Sequence, residues 1–156
     1  MPIHVRTYHH TGHSPRLPNY NKHHIMRVQL HDDAQADLEH LWEHDEDAAA
    51  AIQVALEEAD LDPRVLDKLT QQGNNELPSG QELNVKRWET ASRAAKRDVW
   101  RLRVLNSPAT SYRIVYGYHI QHRQVYVLGI THKETFIYDD LSDNFCARCL
   151  AAWAQL

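Results

Sequence analysis

The sequence predicts a single α+β domain: a short N-terminal strand, two or three helices, a mostly antiparallel four-strand sheet and a C-terminal helix. Three observations lead there. Past Gly80 the apolar residues change from helical spacing to alternation and keep it until about Tyr138. The links between the alternating segments are short, which favours antiparallel neighbours. The last segment, LSDNFCARCLAAWAQL, returns to helical spacing. A chain of 156 residues can bury a core without disulfide or metal staples, and its two cysteines, Cys146 and Cys149, form no disulfide framework.

In HHIMRVQL, Ile25, Arg27 and Gln29 alternate with Met26, Val28 and Leu30, the pattern of a short strand. Asp32 or Asp33 caps a helix whose buried stripe is Leu38, Leu41 and Trp42, with acids in its first turn where the helix dipole favours them. DEDAAAAIQVALEEADL sets Ala48, Ala51, Ile52, Ala55, Leu56 and Ala59 on one face of a second helix. Asp62-Pro63 is a cap followed by a first-turn proline, opening a third short helix or turn through Val65, Leu66 and Leu69. QQGNNELPSG reads as an exposed loop. Four strands follow, LNVKRWE, VWRLRVL, SYRIVYGYHI and RQVYVLGIT, the first two separated by TASRAAKRD. Phe145, Cys149, Ala152 and Trp153 give the final helix its apolar face, and all the helices are expected on one side of the sheet.

No apolar run reaches membrane length, and the N-terminus lacks the apolar centre of a secretory signal, so a cytoplasmic protein without a membrane partner is expected. Residues 1–24 are polar, without a clear period, and hold six of the twelve histidines. They read as a flexible His-rich extension ahead of a domain at 25–156, with a basic arm that touches nucleic acid or antitoxin, or a natural start at Met26, as the other readings. Charge is sorted along the chain. Residues 29–80 carry fourteen acids against Arg64 and Lys68, whereas residues 81–133 carry ten Lys or Arg against three acids. The second block suits phosphate although the whole chain is acidic, with net charge −4.

Within that block Arg101 and Arg103 alternate with Trp100, Leu102 and Val104, so both project from the face opposite the core. Arg113 sits between Tyr112 and Ile114 in a strand expected to be central, where an unpaired charge is costly. Lys86 and Arg87 precede them in LNVKRWE, and Lys133 follows the last strand. CARC offers zinc two ligands, and no second pair stands at a standard spacing. The thiols therefore read as packing residues, and neither a metal nor a cofactor is expected.

MRVQLHDDAQADLEHL, followed by VWRLRV, SYRIVYGY and VYVLGITHKETFIYDD, resembles in order and spacing the RelE/ParE superfamily of bacterial toxins from type II toxin–antitoxin pairs, from about Met26 to Tyr138. The resemblance implies a compact fold of helices on an antiparallel sheet and one of two activities. RelE-like members cut messenger RNA in the ribosomal A site; ParE-like members bind and poison DNA gyrase. It also implies a cognate antitoxin, often DNA-binding, that covers the basic face.

For an mRNA endoribonuclease, the resemblance implies phosphate stabilisation by Arg101 and Arg113, acid–base work by His132, and stacking or proton relay by Tyr138, with Arg103, Lys133, Lys86 and Arg87 along the RNA. Some RelE-like enzymes carry lysines where this chain has Arg101 and Arg103. A guanidinium stays protonated and cannot act as a base, so the base must come from elsewhere, and His132 is nearest in sequence. Each assignment has a structural counterpart: Arg101 and Arg103 as solubilising or ion-paired residues, Arg113 in a buried ion pair, and Tyr138 as an ordinary end-of-strand aromatic. A toxin-fold binding protein without toxicity is the third functional class.

Overall fold

In the computed structural model, residues 27–156 are described; the expected extension at 1–24, and Ile25 and Met26 of the expected first strand, lie outside the described residues. The chain runs β1 (Val28–Leu30), α1 (Asp32–His44), α2 (Glu46–Leu61), α3 (Pro63–Lys68), β2 (Gly73–Glu76), β3 (Glu82–Arg87), α4 (Glu89–Ala95), β4 (Trp100–Leu105), β5 (Tyr112–His119), β6 (Gln124–His132) and α5 (Asn144–Ala154). The strands form one six-stranded mixed sheet in the order β1-β6-β5-β4-β3-β2. β1 runs parallel to β6, and every other neighbouring pair is antiparallel. No helix among the described residues is long and apolar enough to cross a membrane.

The two-residue period divides the sheet into two faces. Leu83, Val85, Leu102, Val104, Ile114, Tyr116, Val125 and Val127 join the apolar faces of α1, α2 and α3 in the larger core. All six expected apolar residues of α2 are buried, as are Leu38 and Leu41 of α1, while Trp42 is half-buried and donates to Gln53 Oε1 at 3.2 Å. Asp60, buried at the end of α2, accepts from the N–H groups of Arg27 and Val28 at 2.6 and 3.0 Å and fixes β1 to that helix.

The opposite face carries a second core built from Trp88, Ala91, Val99, Val115, Leu128, Phe145, Cys146, Cys149 and Trp153. Helices therefore cover both faces of the sheet, which corrects the expectation of one. The reason lies in two glycines. A Cβ on Gly117 would stand 2.5 Å from Trp153 Cζ2, and one on Gly129 would stand 2.6 Å from Phe145 Cε2, so their bare backbone lets α5 lie directly on β5 and β6. Between Tyr116↔Val127 and Val115↔Gly129 the register slips, leaving Leu128 as an extra residue that also joins the second core.

Three further elements differ from expectation. QQGNNELPSG contains β2, an exposed polar strand whose ladder to β3 runs from Gly73↔Val85 to Glu76↔Glu82. Backbone pairing defines it, without a buried face that could produce alternation. TASRAAKRD contains α4, held by buried Ala91 and Ser92 and ended by Lys96 in the left-handed conformation at φ 54°. His31, rather than either aspartate, caps α1, its Nδ1 accepting from the N–H of Asp33 at 3.1 Å.

Candidate anion-binding site

The alternation of β4 places Arg101 and Arg103 on the α5 side of the sheet, and cross-strand pairing gathers their neighbours. Arg101 lies opposite Lys86 and Val115, Arg103 opposite Asn84, and Arg113 opposite Thr131. Arg101 is buried, only 8% exposed, while Arg103 and Arg113 are half-buried. Among the described residues none of the three meets a carboxylate in an ion pair. This departs from the reading of Arg113 as one half of a buried ion pair.

Few hydrogen bonds hold these guanidinium groups. Arg101 Nη1 donates to Asn84 Oδ1 at 3.4 Å, and Asn84 in turn donates to Asn74 Oδ1 at 2.6 Å. Arg113 Nη1 reaches the carbonyls of Thr110 and Tyr112, each at 3.1 Å. The Nε of Arg103 is buried without a partner. Burial, and then the charges of Arg103 and Arg101, lower the pKa of Arg113 to about 10, so it remains cationic at neutral pH. Burial and Arg101 likewise lower that of Arg103. Three positive groups face one another with hydrogen-bonding capacity left over. An anion would supply what the cluster lacks.

Tyr138 closes one side of this cluster. It follows β6 in the turn ETFIYDD and is stacked on Trp88, ring centroids 5.0 Å apart. Its hydroxyl is buried and makes no hydrogen bond of good geometry. Burial raises its pKa, and the neighbouring Arg101 guanidinium pulls partly the other way. The hydroxyl therefore remains a proton donor at neutral pH.

The other sequence-predicted residues divide between this face and elsewhere. Lys86 shares the face and is exposed. Arg87, one position on, alternates away from it and is held by Asp98 at 2.8 Å and by Glu89, both of which raise its pKa. Lys133 is exposed in the turn after β6. His132 is not brought to the arginines: it packs edge-on against Tyr112, centroids 5.2 Å apart, in a cleft that it shares with Asp37, His40, His44 and Thr135 on the α1 side. Two members of the site escaped the sequence reading. Asn84 had a signal, its alternation with Lys86; Trp88 had none, because its ring reaches Tyr138 only through the fold.

Cys146 and Cys149 are buried free thiols of the second core. Burial pushes Cys146 up to about 12 and raises Cys149 further, as suits packing residues. No protein-family model, no curated protein and no solved structure matches the chain.

Proposed function

We propose that the chain is the toxin of a toxin–antitoxin pair and an endoribonuclease of translated messenger RNA, with the β4–β5 face holding the scissile phosphodiester. The convergence of Arg101, Arg103, Arg113 and Tyr138 without a carboxylate carries this reading. The resemblance of VWRLRV and SYRIVYGY to RelE-like toxins supplies the substrate. In the reaction the ribose 2′-oxygen attacks the adjacent phosphorus and the bond to the 5′-oxygen breaks, leaving a 2′,3′-cyclic phosphate and a 5′-hydroxyl. The guanidinium groups stabilise the charge that develops on the non-bridging oxygens. Tyr138 protonates the departing 5′-oxygen, and solvent takes the 2′ proton. Neither a metal nor a cofactor enters these steps. An acidic segment of the antitoxin would occupy the same face and block it.

The test is a cell-free translation reaction with a defined message, adding the wild-type protein or Arg113→Ala and mapping 5′ ends by primer extension. Cleavage that requires translating ribosomes and vanishes in the variant is the expected result. An intact message overturns the nuclease reading. A second reading is favoured by one observation, the absence of His132 from the arginine face. A cationic site without an imidazole base suits binding without cleavage, as in a ParE-like inhibitor of DNA gyrase, and inhibition of supercoiling in the absence of RNA would identify it.

A further inference from the structure

On the far side of the sheet from the arginines, α1 ends in His40-Leu41-Trp42-Glu43-His44, and the ligand atoms of His40, Glu43 and His44 all lie within 4.8 Å of one another at an exposed position. We infer that this turn is a binding site for a divalent transition-metal ion of the zinc class, held by the two imidazoles and the Glu43 carboxylate. Three independent features of the geometry support it.

The first is spacing. Residues four apart lie one above the other on a helix, and paired imidazoles at that spacing on one helix face suit zinc. The two rings are stacked with centroids 3.9 Å apart, so both occupy one side of the helix. Small side-chain rotations bring their nitrogens to the roughly 3.3 Å separation that two Zn–N bonds of about 2.0 Å impose at a tetrahedral centre.

The second is the tautomer. His44 Nδ1 lies 2.8 Å from the carbonyl oxygen of His40. A carbonyl only accepts, so Nδ1 carries the proton and Nε2 keeps its lone pair for a metal. Histidine ligands are commonly oriented by such a bond from the other ring nitrogen. His132, in the neighbouring cleft, has the opposite arrangement. Its Nδ1 accepts from the N–H of Glu134 at 3.2 Å, so its Nε2 bears the proton and is a donor rather than a ligand.

The third is the local field. His44 stands in the last turn of a 13-residue helix, where the macrodipole is negative, with His40 one turn before it, and Asp45, Glu46 and Asp47 follow directly. No basic side chain is bonded to any of the three ligands among the described residues. Solvent fills the remaining coordination positions. The site stands apart from the arginine face, and its fate does not depend on the nuclease reading.

The experiment is calorimetric titration of Zn²⁺ into the full chain carrying alanine at His4, His9, His10, His13, His23 and His24, which removes the competing N-terminal histidines. One equivalent should bind. His44→Ala in that background should weaken binding at least tenfold, and Glu43→Gln should weaken it severalfold. Far-UV circular dichroism should remain unchanged, since both side chains are exposed. No binding by the parent chain, or equal binding by His44→Ala, overturns the site. Equal binding by Glu43→Gln overturns the three-ligand assignment.

Discussion

The ring of Tyr138 lies on the indole of Trp88 at 5.0 Å with 24° between their planes, which fixes a buried hydroxyl beside the Arg101 guanidinium. Tyr138→Phe keeps the stack and deletes a buried hydroxyl whose contact with the Arg101 guanidinium falls short of good hydrogen-bond geometry. Its stability should match the parent or exceed it by up to about 1 kcal/mol, whereas message cleavage should fall at least tenfold. Trp88 is fully buried, and Trp88→Ala should cost about 3–5 kcal/mol in urea unfolding. Equal cleavage by Tyr138→Phe would remove Tyr138 from the chemistry.

The arginine cluster should trade stability for binding. Arg113→Met removes one of three facing cations, so in phosphate-free buffer its Tm should equal or exceed that of the parent while cleavage is lost. Added inorganic phosphate should raise the Tm of the parent and leave the variant nearly unmoved. A strongly destabilised variant would show that Arg113 holds the fold together rather than a ligand.

Close contact between α5 and the sheet depends on bare glycine. Gly129→Ala would drive a methyl group against Phe145 and the Cys149 Sγ, 2.8 Å away, and should cost about 1–3 kcal/mol. Near-ultraviolet circular dichroism should report the loosened aromatic packing of α5. Gly73 meets nothing within 4 Å, but its φ of 132° makes it an unsuitable control.

One clamp ties three elements together. Asp37 of α1 receives the Ile130 N–H at 2.9 Å and two bonds from Arg148 of α5, at 3.0 and 2.8 Å. Asp37→Ala leaves the backbone donor and the cation unpaired, and should cost about 1–3 kcal/mol. Arg148→Met should be milder, because the carboxylate keeps the Ile130 donor. Equal losses in urea unfolding would contradict that division of labour.

The buried thiols predict an alkaline limit. Cys146 and Cys149 have folded pKa values above the ordinary value of 9.0, so the unfolded chain releases these protons first. Their contribution to stability is complete below pH 9 and declines above it, through about 12 for Cys146. The limiting slope is about 1.4 kcal/mol per pH unit for each thiol. Denaturation under reducing conditions between pH 7 and 10.5 should show the loss, and Cys149→Ala should reduce the slope.

Legibility followed burial. Leu38, Ile52, Leu102 and Ile114 announced their elements because each lies on a face that buries every second residue or every third and fourth. β2 and α4 did not, since GNNE has no buried face and α4 is a single short helix whose register depends on Trp88 and Val99. The arginines of β4 were legible by the same alternation, read from its polar side. His132 shows where proximity in sequence misleads: it lies one residue from Thr131, the partner of Arg113, and one residue along a strand is the other face of the sheet.

The acid-rich segment of α1 to α3 covers one side of the sheet, and the cation cluster opens on the other, so the molecule is electrically polar despite its net charge of −4. A polyanion approaching from the α1–α3 side is repelled, and one approaching the arginine side is drawn in, so encounters are sorted by orientation before any contact forms. Capture should therefore slow as ionic strength rises and the Debye length shrinks from about 30 Å at 0.01 M to about 8 Å at 0.15 M. Each RNA phosphate neutralised should add about −0.7 to the slope of log affinity against log salt.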